Sequence, residues 1–363
     1  MTDAQYHGCR GAEEMHEEFQ TVLREHLARY PLMEPQDCAK LAYQSTFGPA
    51  HAAGERGDVL RQLLGECSAL PADREARPPE RIGNGLCRVH LAGTGDWTLA
   101  APLLADLLLL TAAEHHGTAA DLEECLTAAE ALPLPGMADW LAVYRRQGCP
   151  PVHHSPAYRE AYDPHYRVLR TAYGGYFPAL LAAARLARSG RPAVVAIDGR
   201  CGSGKSGLGD LMGRLLPCNV VHMDDYYLPP DRRAENWEQI PAGNMDLARF
   251  LQEVLEPAGV GAPIRCRPYD CRSGTLREGT TLPARPLTVV EGSYSQHPLL
   301  SARYDLRMFL TCAPEEQRRR LEREGAHFAA YESRWMPLEE RYIRQCGPEK
   351  GCQLVIDTTE FFP

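Results

Sequence analysis

With 363 residues, a formal charge of −9, 44% hydrophobic and 24% charged residues, the chain has a folding composition, enough for two or three domains with sizeable cores. The negative charge argues against nucleic acid or an anionic membrane as the main partner. No apolar run approaches the ~20 residues of a bilayer span, since the longest, Leu103–Leu110, is interrupted by Asp106. The start, Met1-Thr2-Asp3-Ala4, has no basic segment ahead of an apolar one, and the thirteen cysteines are irregularly spaced with no Cys-x-x-Cys pair. Reduced, buried cysteines in a cytoplasmic protein are the expectation, with self-association and a metal site built from distant cysteines left open.

Along the chain, Glu13–Tyr30 sets Phe19, Val22, Leu23, Leu27 and Tyr30 near helical spacing before Pro31. Gln36–Gln44, entered through Pro35, and Val59–Leu64 read as short helices. Leu70–Gly85, rich in Pro, Arg and Glu, reads as an exposed loop, and Leu86–Leu91 as a strand or the start of a turn. Thr98–Ala113 and Thr118–Ala131 are stronger helices, filled with Leu and Ala and separated by Gly117. Residues 1–150 are thus expected to form a mainly helical accessory domain that packs on the remainder and adjusts access or specificity. Prolines 133, 135, 150, 151 and 156 lead into a connecting segment, 151–190. There His153, His154 and His165 mingle with Tyr158, Tyr162, Tyr166, Tyr173 and Tyr176, read as an aromatic seam in preference to an acceptor pocket. Tyr176–Ser189 reads as an amphipathic helix ended by Gly190.

From Arg191 the character changes. Short β-branched runs at Ala193–Ile197, Asn219–Met223, Leu287–Val290, Leu306–Leu310 and Leu354–Ile356 alternate with helical segments. That alternation predicts an α/β domain over 191–363, a mostly parallel sheet flanked by helices.

The most specific motif is Gly199-Arg200-Cys201-Gly202-Ser203-Gly204-Lys205-Ser206, a full Gly-x-x-x-x-Gly-Lys-Ser phosphate loop between a strand and a helical stretch, Leu208–Leu216. Its glycines let successive amides face a phosphate, and the helix start adds unpaired donors. Lys205 is expected on the β and γ oxygens of ATP or GTP, and the Ser206 hydroxyl on Mg²⁺. Strand ends of open α/β sheets face the ligand, so Asp224, with Asp225 in reserve, is the candidate base or metal ligand, and Glu291 faces the metal. Arg318, Arg319, Arg320 and Arg323 lie in a mixed-charge helix, Glu315–Glu324. Arg319 and Arg323, four apart, share a face, and at least one is expected on the phosphates.

Together these residues resemble the uridine kinase and phosphoribulokinase family of P-loop kinases over about Arg191–Pro363. The likeness rests on Ile197-Asp198-Gly199 and its loop, Asp224-Asp225-Tyr226-Tyr227, Asn244-Met245-Asp246, Pro268-Tyr269-Asp270, Glu291-Gly292 and the arginine-rich stretch, in that order. It implies a P-loop NTPase-type fold, Asp224 as base, metal contacts from Ser206 and Glu291, and an acceptor pocket involving Asp225, Tyr227, Asp246, Tyr269 and Arg320. The chain departs from uridine kinases in having Asp-Asp-Tyr-Tyr for Asp-Ser-Phe-Tyr and Asn244-Met245-Asp246-Leu247 for Phe-Asp-His-Pro, which alters the acceptor pocket. A looser resemblance, to bacterial proteins of this type with an extra N-terminal region, rests on Pro35-Gln36-Asp37, Tyr43–Gly48 and His153-His154-Ser155. The expected function is phosphorylation of a small-molecule hydroxyl, a nucleoside first. A sugar phosphate, a pantothenate-like or another alcohol as acceptor, or a nucleotide-sensing binding module, are the alternatives.

Overall fold

A computed structural model describes residues 12–71, 75–92, 95–323, 325 and 328–362; the reading of Met1–Ala4 lies outside them. Two compact units divide between Gly175 and Tyr176, the chain's last residues from Phe361 belonging with the first unit.

The first unit is mainly helical. Its core gathers Phe19, Val22 and Leu23 from the helix Ala12–Arg29, Cys38 and Leu41 from Pro35–Phe47, Leu122 and Leu126 from Ala119–Glu130, and Leu141 and Tyr144 from Met137–Arg146. Pro35 opens its helix without losing a hydrogen bond, and Asp37 Oδ2 accepts the Glu34 N–H at 3.0 Å. Trp97–Glu114 is the one helix among the described residues long and apolar enough to cross a membrane, and half of it is buried inside the protein.

This unit also contains an antiparallel sheet in the order β1 (Glu80–Gly83), β2 (Leu86–His90) and β3 (Tyr166–Arg170). The stretch expected as loop thus ends in a strand whose Glu80 and Ile82 are buried. Its hairpin turns on Asn84-Gly85, both with positive φ (53° and 68°), the dipeptide that two-residue turns between twisted strands favour.

The second unit is built on a five-stranded parallel sheet. The strands are β4 (Ala193–Gly199), β5 (Cys218–His222), β10 (Leu287–Glu291), β11 (Leu306–Thr311) and β12 (Leu354–Asp357), ordered β12-β11-β4-β10-β5. All five expected runs are strands; four extend one or two residues past the apolar run, and β5 is the same length shifted one residue toward the N-terminus. Between β5 and β10 lie two small antiparallel pairs, β6 (Ile264–Cys266) with β9 (Thr280–Leu282) and β7 (Tyr269–Asp270) with β8 (Thr275–Leu276). Central β4 is buried along its whole length, as expected of a parallel strand covered on both faces. In register, Glu291 pairs with both Ile197 and His222, so the ends of three strands meet at one level of the sheet. Every described cysteine is free and most are buried.

Candidate active site

The phosphate loop leaves β4 at Gly199, whose φ is 147° and where a Cβ would lie 2.0 Å from the Leu310 carbonyl oxygen. Only glycine fits that approach. Asp198, just before it, is fully buried. Its carboxylate accepts from the Gly199 amide (2.7 Å), the Gln296 amide (2.9 Å) and the Tyr342 hydroxyl (2.7 Å). Burial pushes its pKa up to about 6 although all three donors favour the ion.

Four successive loop carbonyls are held by side chains from elsewhere in the unit. Gln317 Nε2 donates to Cys201 O (2.9 Å), Arg320 Nη1 to Gly202 O (3.0 Å), Thr358 Oγ1 to Ser203 O (2.9 Å) and Tyr176 Oη to Gly204 O (3.1 Å). With the carbonyls tied in this way, the amides of Gly202, Gly204, Lys205 and Ser206 are left with no acceptor among the described residues. Gly204 sits at φ 91° and opens the helix Lys205–Leu215. A run of unpaired amides at a helix start is an anion cradle.

Lys205 is buried and its Nζ donates to Gly199 O (3.0 Å) and Arg200 O (2.9 Å). Burial opposes its charge, but neighbouring carboxylates, Glu339 foremost and then Glu291 and Asp198, hold its pKa above the ordinary lysine value.

The carboxylate side comes from the ends of β5 and β10. Ser206 Oγ donates to Glu291 Oε2 at 3.0 Å, and His222 Nδ1 lies 2.5 Å from Glu291 Oε1. That hydrogen bond raises the His222 pKa. Burial works against ionisation of Glu291, yet the His222 contacts win and lower its pKa. A hydroxyl and an ionised carboxylate 3.0 Å apart are hard oxygen donors suited to Mg²⁺. No group of three or more His, Cys, Asp or Glu residues is placed to hold a metal ion among the described residues. The remaining coordination would therefore come from water and phosphate oxygens, the usual preference of that ion.

Asp224 and Asp225 occupy the short turn Met223–Tyr226 after β5. Asp224 is exposed, yet desolvation by the protein beside it raises its pKa, with Lys205 opposing and Glu291 reinforcing the shift. Tyr227 Oη donates to its Oδ1 at 3.1 Å. Asp225 is half-buried and desolvation raises its pKa as well.

The other expected residues are placed differently. Asp246 caps the helix starting at Leu247, accepting from the Arg249 amide (3.2 Å), and pairs with Arg249 Nε (3.3 Å). Tyr269 is buried in the β7–β8 hairpin. Arg319 is held by Glu316 through two 2.6 Å contacts, and Arg323 is exposed in the last turn of the helix Pro314–Arg323. Arg320 points into the protein, where it also holds Thr358 Oγ1 (3.0 Å) and Thr358 O (2.5 Å), so its guanidinium braces the phosphate loop. Glu339 escaped the sequence reading. It is buried, accepts from the Cys201 amide at 2.8 Å and also from the Ser293 hydroxyl. The adjacent acids Glu339-Glu340 in a helix look like an ordinary solvated face, and nothing local marks one of them as a loop anchor.

A parallel sheet whose central strand runs through a glycine loop into a helix, with carboxylates at neighbouring strand ends, defines a P-loop NTPase-type fold. No protein-family profile matches the chain, and no curated protein matches it in sequence. Solved structures do. A protein described as a possible uridine kinase from Bacillus stearothermophilus aligns at 19% identity over 47% of this chain and 91% of its own, with a TM-score of 0.38. One described as a candidate fructose transport system kinase from a Silicibacter species aligns at 21% identity over 46% and 91%, with a TM-score of 0.37. A Thermus thermophilus protein aligns at 21% over 47% and 90%, with a TM-score of 0.25. Identities and scores this low assign no activity.

Proposed function

We propose that the chain is a magnesium-dependent kinase transferring the γ-phosphoryl group of ATP or GTP to a hydroxyl of a small metabolite, a nucleoside being the favoured acceptor. The observation that carries this reading is the convergence of Lys205 and Ser206 from the loop with Glu291 and Asp224 from two strand ends, tied by the 3.0 Å Ser206–Glu291 contact. Bound magnesium would neutralise phosphate oxygens, and Ser206 and Glu291 are the residues that would hold it. Lys205 exchanges its two carbonyl partners for phosphate oxygens, and the unpaired loop amides take up the remaining charge. Asp224 accepts the proton of the acceptor hydroxyl. Its raised pKa brings it nearer the working range of a general base, and Tyr227 orients it.

The commitment of Asp246 to a helix cap and to Arg249 supports a second reading. Here the chemistry is unchanged and the acceptor is a sugar phosphate, a pantothenate-like compound or another alcohol. The N-terminal residues 1–150 are proposed to act as an accessory domain that adjusts specificity without a reaction of its own. Triphosphate consumption across a panel of nucleosides, sugar phosphates and pantothenate-like alcohols tests the proposal. Acceptor-dependent turnover is expected; tight nucleotide binding with no turnover for any acceptor would make the protein a nucleotide sensor instead.

A further inference from the structure

The first unit holds a buried polar network that the phosphotransfer reading does not use. Asp37 Oδ1 accepts from His154 Nδ1 at 2.7 Å and from the Ser155 amide at 3.0 Å. Burial lowers the His154 pKa to about 4, and its Nε2 lies 2.7 Å from Tyr166 Oη, which is also 3.3 Å from Gln44 Oε1. Arg88, 1% exposed, stacks 4.6 Å from the Tyr166 ring centroid and donates through Nε (3.1 Å) and Nη2 (2.8 Å) to Gln44 Oε1.

That last contact orients Gln44. A guanidinium only donates, so the amide oxygen must face Arg88 and the NH₂ must be turned the other way. Gln44 is 5% exposed, it lines an open cavity of about 290 Å³, and its NH₂ has no acceptor among the described residues. The NH₂ is not sealed inside the protein, so it presents a hydrogen-bond donor to whatever fills the cavity.

The rest of the cavity has the same polarity. Lys40 Nζ donates to Val152 O at 2.9 Å and has no carboxylate partner among the described residues. Arg159 is likewise without one, and His51 and His153 add further ring nitrogens to the lining. The only acid lining the cavity, Glu66, is already taken by Arg167 (2.7 Å) and His165 (2.6 Å). Cations without carboxylate partners, beside an open amide donor, match an oxyanion. We propose that this cavity is a second ligand site, distinct from the phosphate loop, that binds a small metabolite through its phosphate or carboxylate group, with Gln44 Nε2 and Lys40 Nζ as the central donors. The idea goes beyond the kinase proposal and does not depend on it.

The test titrates the full chain at fixed pH with inorganic phosphate and, separately, with succinate, reading the His51 and His153 ring resonances by ¹H–¹³C NMR. Those rings line this cavity and report on it alone. Gln44→Glu keeps an oxygen for Arg88 but replaces the donor by a charge, and Lys40→Met removes the ammonium while keeping the stem. Saturable shifts with at least one anion are expected, weakened tenfold or more in both variants and unchanged in Lys205→Ala. The anion that saturates identifies the group as phosphate or carboxylate. Absence of saturable shifts with either anion, or equal affinities in the wild type and both variants, would overturn the site. So would loss of the shifts in Lys205→Ala, which would trace them to the phosphate loop.

Discussion

The phosphate loop of the second unit and the Asp37–His154 network of the first are both buried polar constellations, yet they are built in opposite ways. The loop's recognition groups are main-chain amides from a few consecutive residues, and distant side chains serve to hold its carbonyls. The network has no such local kernel. Asp37 and His154 are 117 residues apart, and Gln44 and Arg88 are 44 apart, so every contact depends on tertiary packing. A site made of backbone survives many side-chain changes, provided its glycines remain. A site made of paired side chains fails when one partner is lost.

The largest effect is expected at Lys205. In the Lys205→Ala protein, acceptor-dependent triphosphate turnover is expected to fall by about 10³-fold or more, because a preorganised cation is removed from developing charge. The variant should stay folded, since the carbonyls of Cys201, Gly202, Ser203 and Gly204 keep their side-chain donors although those of Gly199 and Arg200 lose Lys205. Near-normal turnover by the folded variant would remove Lys205 from the phosphates.

The first unit should respond in the opposite sense, with stability lost in place of a rate. Arg88→Met strips two hydrogen bonds from Gln44 and a cation from the Tyr166 ring and the neighbouring Glu80. The expected loss is about 3 kcal/mol, the scale for removing one partner of a buried charged pair. Urea unfolding followed by tyrosine fluorescence measures it, and a midpoint within error of wild type would show that the network contributes little.

Asp224→Asn sharpens the contrast within the catalytic centre. Turnover should drop by about 10²-fold with nucleotide affinity retained, as for loss of a general base. Asp225→Asn, measured in parallel, should cost less. Should magnesium affinity fall while the saturated rate holds, Asp224 would belong to the metal.

The smallest effect is a pH dependence of stability from His222 and Glu291. The folded pKa of His222 is raised above 6.5, first by its hydrogen bond to Glu291. Its contribution is therefore complete below pH 6.5 and is lost as pH climbs through the raised value. His222 is 45% exposed, and solvent screening should keep the effect below about 1 kcal/mol. Denaturation midpoints of the wild type and His222→Gln should differ at pH 6 and converge by pH 9, and a constant difference would exclude the charged pair.

The sequence by itself determined the parts that follow from local conformation. Gly199, Gly202 and Gly204 mark backbone that must turn or approach closely, and the β-branched runs in the second half mark buried parallel strands, so the strand, loop and helix were legible. Asn84-Gly85 carries the same kind of local signal, but the Pro- and Arg-rich stretch Leu70–Gly85 reads as an exposed loop, so the strand Glu80–Gly83 and its hairpin were missed. Tertiary structure alone decided which of four arginines in one helix turns inward to hold Gly202. It also decided that Glu339 and Thr358 reach the loop, and that Lys40, Gln44, His51 and His153 line one cavity. Backbone torsions are set by a residue and its neighbours, whereas these contacts join side chains tens of residues apart, and their partners are chosen only when the core packs.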